Sequence, residues 1–331
     1  MESPLAHGKV TLHVPSMLVL IAQLASAQTP ATLCQQMPDL PASVVELFLA
    51  MLVGAGFASE SKIDGTSAEN EPLLQWEFHD LLFHSRSRLG RHLNRYGATF
   101  RHRHHIESLP AVKPFSAEQY IELHRPDIQS LELQDVTFTR VLEQRRSIRQ
   151  FGEPPITDRQ LGEFLYRSAR VEELQMVEWG EVTRRPYPGG GAIYELEIYV
   201  NVHRCVNIPA GLYHYCPEKH HLQRMSCTAE MTEALLRDAA RPAALTDLPQ
   251  VVITIAARFQ RLSWKYESIA YSVLLKDVGV LYQTMYLVAT AMALAPCALG
   301  GGDSDLFAAA AGLDYYSETS VGEFLLGSRA S

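Results

Sequence analysis

From Asp277 to Ala295 the chain is almost entirely apolar or small, with Gln283 and Thr284 interrupting the run and Lys276-Asp277 leading into it. A helix that is apolar on most sides belongs either in a bilayer or inside a sizeable fold. A membrane span needs about 18 or more consecutive apolar residues, and no such uninterrupted run occurs in the 331 residues. The segment is therefore expected to be a buried core and dimer-interface helix, broken near Pro296 and followed by the glycine loop Gly300–Gly302. At about 150 residues per domain the length suggests about two domains, enough to bury such a helix.

Charge and cysteine content narrow the functions. The chain carries 29 Lys+Arg against 37 Asp+Glu, a net charge of −8. That balance argues against a nucleic-acid partner gripped through phosphates over the whole surface. Five cysteines, an odd number without a CxxC pair, suit a reduced, cytoplasmic protein better than a disulfide or zinc framework. Cys205, Cys216 and Cys227 are evenly spaced, but at intervals that match no metal-ligand pattern, so no metal is expected. Met17–Ala27 imitates the apolar core and small-residue end of a secretory signal. Only Lys9 precedes it as a positive charge, Glu2 opposes that charge and Gln23 interrupts the run, so a retained helix is expected.

The first third predicts three short helices: Ser16 to Ala27, then Pro30 to Met37 with Thr29 as N-cap, then Pro41 to Val53. In the third, Val44, Val45, Phe48, Leu49 and Leu52 form the apolar set. An extended stretch from Phe57, a turn at Asp64-Gly65 and a strand Leu73–Phe78 would complete a winged-helix pattern. The third helix has no Lys or Arg and one charge, Glu46, so it lacks donors for bases or phosphates. Residues 1–115 hold 9 Lys+Arg and 10 Asp+Glu, which favours a scaffold or peptide-docking role over DNA binding. Phe83–Arg91 and Arg101–His105 are basic, either a solvated helix face plus polar linker or an attractor of anions. Leu109–Pro114 reads as a linker.

The remaining chain carries the chemistry. In Phe138–Phe151, Arg145 and Arg149 stand four apart with Ser147 between them, so on a helix end both guanidinium groups reach one side. Guanidinium forks match phosphate oxygens in pairs. Ile156–Ala169 predicts a helix capped by Thr157 with Leu161, Phe164 and Leu165 inward. Gly189, Gly190 and Gly191 precede a strand, Glu195–Val202, whose alternation suggests a half-buried sheet; consecutive glycines let a ligand approach backbone. Neither GxGxxG nor a Walker loop is present. Phe324–Gly327 is expected as a short final strand.

In order along the chain lie Arg146-Ser-Ile-Arg-Gln-Phe151, Tyr187-Pro-Gly-Gly-Gly-Ala-Ile-Tyr194, Gly211–Pro217, Trp264-Lys-Tyr266, Asp277-x-Gly279-x-x-x-Gln283, Gly300-Gly-Gly-Asp303 and Leu326-Gly327. This series, with Trp76–Gly90 ahead of it, resembles the SagB-type dehydrogenases, flavin enzymes of the nitroreductase superfamily that include azoline oxidases. The resemblance covers Trp76 to the end and, more loosely, the whole chain. It implies an α+β fold, a nitroreductase-like FMN domain (135–331) joined by a linker (113–134) to a small winged-helix-like domain (1–112).

It also implies that Arg145, Ser147, Arg149 and Arg329 hold the FMN phosphate. Gly189, Gly190, Gly191, Gln283 and the loop Gly300, Gly301, Gly302 would complete the pocket at a homodimer interface. Relatives often have serine at Gly189, so only backbone contact is expected there, and proline is common at Glu195. Lys265 and Tyr266 match the family's catalytic Lys-Tyr pair. A tyrosine, with an ordinary pKa of about 10, needs a nearby cation to act as a base at neutral pH, and Lys265 is expected to supply it. Adjacent residues do not face each other on regular elements, so the pair should sit on irregular backbone. Without the family pattern, Trp264 and Tyr266 would read as core aromatics and Lys265 as solvated.

The implied reaction is FMN-dependent oxidation of a thiazoline or oxazoline to the azole. Its substrate is a peptide, or one tethered to a carrier protein, with oxygen as electron acceptor. The alternatives are an NAD(P)H-dependent nitroreductase or enone reductase, and a flavin-less peptide-binding scaffold.

Overall fold

The computed structural model describes residues 1–61, 71–114 and 119–330. They form two compact units, Met1–Thr99 with Glu267–Ile269, and Phe100–Tyr266 with Ala270–Ser331.

In the first unit, α1 (Pro15–Gln23), α2 (Pro30–Gln36) and α3 (Ala42–Gly54) follow the expected order. Thr29 caps α2 by accepting from the Thr32 amide at 3.1 Å, with Pro30 at the first position, where its missing N–H costs nothing. Leu20, Leu33, Met37 and Val45 make the small core of this unit, with Phe48 and Leu49 packed against it. The expected strand at Leu73–Phe78 is not formed: Glu71–Gln75 is a 3₁₀ turn and Phe78–Arg86 is α4. Asp80 in the first turn and His84 and Arg86 in the last complement the helix dipole, a charge pattern that alternation had hidden. The expected turn at Asp64-Gly65 lies outside the described residues. Arg86 is not available to an anionic partner, because it donates to Glu2 at 2.8 Å and to the Ser3 carbonyl at 2.7 Å. A two-residue strand, β1 (Gly97–Ala98), ends this part of the chain.

Beyond Phe100 the strands are β2 (Tyr120–Glu122), β3 (Glu173–Val177), β4 (Gly180–Arg184), β5 (Leu196–Val202), β6 (Gly211–Cys216), β7 (His221–Arg224), β8 (Val251–Arg258), β9 (Tyr266–Glu267), whose second residue is counted in the first unit, β10 (Leu294–Ala298) and β11 (Glu318–Ser328). Seven strands pair in the order β10-β11-β8-β5-β6-β7-β2, antiparallel throughout. The pair β3–β4 is a separate hairpin. The helices are α5 (Ile128–Gln134), α6 (Phe138–Gln144), α7 (Asp158–Ala169), α8 (Ala229–Ala240), α9 (Phe259–Ser263), α10 (Ala270–Ala291) and α11 (Ser304–Ala311). Between residues 113 and 134 the chain thus carries both an edge strand and a helix.

Helices cover both faces of the sheet. On one face, Leu161, Phe164 and Leu165 of α7 and Leu281 and Met285 of α10 pack on Ile198, Val200, Ile253 and Phe324. On the other, Leu235 and Phe307 of α8 and α11 meet Tyr199 and Ala256. For this reason β5 is buried along its whole length rather than on one side. Its polar alternates find partners inside: Glu197 meets His214 at 3.0 Å, Tyr199 donates to Glu318 at 2.6 Å, and Asn201 donates to the Thr232 carbonyl at 2.9 Å. The final strand, expected to be short, is β11, which pairs with β10 and β8 on its two edges. Pro296 lies in β10, at the sheet edge, where a missing N–H is tolerated. On α7 the capping box is complete: the Thr157 hydroxyl accepts from the Gln160 amide at 3.1 Å, and the Gln160 side chain accepts from the Thr157 amide at 3.0 Å.

Candidate active site

Helix α10 links two functional ends of the second unit. Asp277 sits under a glycine turn and Tyr286 under a group of arginines, roughly 13 Å apart along the helix at about 1.5 Å per residue.

At the glycine turn, Gly190–Ala192 forms one 3₁₀ turn, and Gly191 takes the left-handed conformation, φ 63°. The Gly190 amide donates to Asp277 Oδ2 at 2.8 Å. Lys265 follows α9 in a turn and donates from Nζ to the Gly191 carbonyl at 3.3 Å. A Cβ on Gly191 would stand 2.3 Å from Tyr266 Oη and 2.8 Å from Lys265 Nζ. A side chain there would push both tips away, and the left-handed backbone itself favours glycine. Irregular backbone brings neighbours in sequence to one point, as expected for Lys265 and Tyr266.

Lys265 is buried rather than solvated, in a box of aromatic faces. Its Nζ lies 4.2 Å from the centre of the Trp179 ring, 5.3 Å from that of Tyr266 and 5.7 Å from that of Phe100. Trp179 is at the tip of the β3–β4 hairpin. Burial, with the Arg261 charge added to it, holds the ammonium below the usual lysine range. Burial also pushes the Tyr266 phenol up, and Asp277 and Glu195 push it further. Burial and the two carboxyls act on the Tyr266 phenol in the direction opposite to the lowering expected from Lys265. In this pair both shifts favour the uncharged forms, the free amine and the protonated phenol.

At the other end, α6 stops at Gln144, and Arg145 already has extended backbone (φ −57°, ψ 122°). The expected helical spacing of Arg145 and Arg149 is therefore replaced by an extended segment laid along the sheet. The Ile148 amide donates to the Pro296 carbonyl at 2.8 Å and the Gly152 amide to the Ser328 carbonyl at 2.9 Å. Ser147 and Arg149, with Arg329, line an open cleft of about 450 Å³. Arg145 lies over the Tyr286 ring at 5.3 Å and lines an adjoining cleft of about 580 Å³, which Arg329 also borders. Ser147 Oγ and Tyr286 Oη are 2.6 Å apart, and the same phenol oxygen accepts from the Ala298 amide at 2.8 Å. Among the described residues, Arg145, Arg149 and Arg329 make no ion pair with a carboxylate. Unneutralised guanidinium groups around a hydroxyl fit a phosphate.

Two predicted groups stand apart. Gln283 is exposed on α10 between Asp277 and Tyr286. The Gly300–Gly302 loop is exposed beyond β10, and a Cβ on Gly302 would meet the Glu323 carboxyl at 2.5 Å. Residues 102, 104 and 105, all histidine, join no cluster able to hold a metal among the described residues. Sequence reasoning passed over Trp179, Phe100 and the carboxyls of Glu195 and Asp277. Asp277 did stand in a quoted motif, and Glu195 at a departure from the family pattern.

The sheet, its covering helices and this site define a nitroreductase-type fold. The nitroreductase family model matches residues 142–327, and the chain belongs to that family. Residues 1–93 match the model of the cyanobactin oxidase ThcOx. A protein of Methanocaldococcus jannaschii named as a nitroreductase is 32% identical over 54% of this chain and 84% of its own. The trifolitoxin-processing protein TfxB of Rhizobium leguminosarum is 28% identical over 39% of this chain, and the microcin B17-processing protein McbC of Escherichia coli 29% over 34%. These two matches span only 35% and 42% of the relatives' own lengths. A nitroreductase-type crystal structure from Ralstonia eutropha JMP134 superposes with a TM-score of 0.50 at 20% identity, over 67% of this chain and 95% of the other. Among the described residues no helix is long and apolar enough to cross a membrane.

Proposed function

We propose that this protein is an FMN-dependent dehydrogenase that oxidises a thiazoline or oxazoline in a peptide intermediate to the aromatic azole. It would act as a homodimer with oxygen reoxidising the flavin. The observation that carries the reading is the convergence of Lys265 Nζ and Tyr266 Oη on the left-handed Gly191. The matches to the cyanobactin oxidase model and to the two peptide-processing relatives support a peptide substrate.

The residues present fit the cofactor. Arg145, Arg149, Arg329 and Ser147 would hold its phosphate, and the Gly189–Gly191 backbone would lie against its ring system. When bound, FMN supplies a two-electron acceptor for the hydride leaving the azoline ring.

The protein handles the accompanying proton. Lys265, kept dry by Trp179 and Phe100 and held below its usual range, accepts it from the ring carbon at Nζ. Tyr266 keeps its phenol proton and donates a hydrogen bond that orients the heterocycle. The amine accepts only when neutral, so turnover rises with pH through the depressed lysine value.

The test is purification followed by single-turnover assay. The protein should be yellow or take up FMN, and an azoline peptide should bleach the flavin anaerobically. Tyr266→Phe should keep the flavin and lose about tenfold to 100-fold in rate. A colourless protein that binds no added FMN, or rapid bleaching by NAD(P)H with no response to azoline, would overturn the proposal.

A further inference from the structure

Three segments far apart in sequence touch the Lys265 side chain. Phe100 and Trp179 offer ring faces to its ammonium, and the Gly191 carbonyl accepts from it. On α9, one helical turn ahead of Lys265, stands Arg261, and its guanidinium reaches the same three segments. Nη1 donates to the Leu109 carbonyl, in the stretch that follows Phe100. Nη2 donates to the Glu181 carbonyl at 3.2 Å and to the Ile193 carbonyl at 2.5 Å. Glu181 lies just beyond Trp179 on the β3–β4 hairpin, and Ile193 closes the glycine turn that holds Gly191.

Stability alone does not account for an arginine at this place. Arg261 is buried, pairs with no carboxylate among the described residues, and leaves its Nε without a partner among them. Burial, with the charges of Arg258 and Arg185 added, presses the guanidinium down to about 10. The cation thus bears a desolvation cost that an apolar side chain of similar volume would avoid. What it supplies is geometry, a rigid planar fork that fixes several carbonyls relative to one another. The stretch at 109–111, which reads as a linker in the sequence, is held by more than Arg261. Arg258 donates to the Pro110 carbonyl at 2.9 Å and Arg185 to that of Ala111 at 3.4 Å. The hairpin and the glycine turn, by contrast, meet on the single Nη2 of Arg261.

We infer that Arg261 is a positioning residue for the chemistry at Lys265: by holding the hairpin and the glycine turn on one nitrogen, it keeps the Trp179 face and the Gly191 carbonyl in place around the amine. The role deepens the proton transfer proposed for Lys265 and rests on it for the rate it serves, whereas the bonds themselves involve neither flavin nor substrate. A misplacement of about 1 Å at a reacting group costs up to about 100-fold in rate.

Hydrogen exchange on the full chain without added flavin reads the clasp apart from the reaction. In the wild type, the slowest amides of β4 and of the turn 190–193 should open as one unit, with protection within about tenfold of each other. A larger difference would overturn the clasp, and this comparison decides even where a variant fails to fold. Arg261→Lys keeps the positive charge beside Lys265 and replaces the fork with one ammonium. It should speed exchange in both segments by about tenfold while Leu196–Val202 of β5 stays protected. In the FMN-loaded variant, kcat for an azoline peptide should fall about tenfold to 100-fold, with KM within about twofold. Arg261→Met should match it; recovery by lysine but not by methionine would assign the effect to charge and overturn the role of the fork. Wild-type exchange or wild-type kcat in Arg261→Lys, or a loss confined to KM, would equally sink the assignment. If exchange responds as expected but even the wild type never oxidises an azoline, the clasp stands and only the proposed reaction falls.

Discussion

The two ends of α10 invite comparison because they treat charge in opposite ways. At the glycine turn, Lys265, Glu195 and Asp277 are buried, and burial is the leading cause of every shift there. At the arginine end, Arg149 and Arg329 stand open to solvent at the mouth of a cleft. A buried group changes its proton affinity and can do chemistry near neutral pH, whereas an exposed guanidinium stays charged and can only hold. Under the proposed function, this difference would place reaction at one end and anchoring at the other.

Substitutions should separate the two ends. The largest effect is expected from Lys265→Ala, which should lower azoline turnover by about 100-fold or more with flavin retained, as seen in single-turnover bleaching. Loss of flavin with unchanged turnover of the loaded fraction would reverse the comparison. Next, Arg149→Ala should weaken FMN binding by about tenfold to 100-fold, the worth of one charge-assisted hydrogen bond of about 1.5–3 kcal/mol. At saturating FMN its turnover should match the wild type, which titration followed by steady-state assay would show. The smallest effect belongs to Thr157→Ala, whose side chain bonds Gln160 in the α7 cap. Loss of the α7 cap should cost about 1 kcal/mol in denaturant unfolding and leave both flavin affinity and turnover alone.

Local rules carried a good part of the structure. Thr29-Pro30 and Thr157-x-x-Gln160 announce helix starts through side chains that bond amides three residues on, and such contacts need no distant partner. Lys265-Tyr266 was legible as a pair on irregular backbone because regular elements turn neighbours apart. What failed depended on partners far along the chain. Arg145 to Arg149 looked helical by spacing, but carbonyls of Pro296 and Ser328 draw the segment onto the sheet edge. Leu73–Phe78 alternates like a strand, yet strand formation needs a neighbour to bond, and the local charge pattern favours a helix from Phe78.

The sequence by itself determined the family motifs, the capped helices and the residue types available to bind a phosphate or move a proton. These follow from identity and short-range spacing. Only the tertiary structure decided that both faces of β5 are covered, that Lys265 lies among Phe100, Trp179 and Tyr266, and that Asp277 accepts the Gly190 amide. Burial is a property of what packs around a residue. It lowers the Lys265 ammonium and raises the Tyr266 phenol, so both lean toward their uncharged forms.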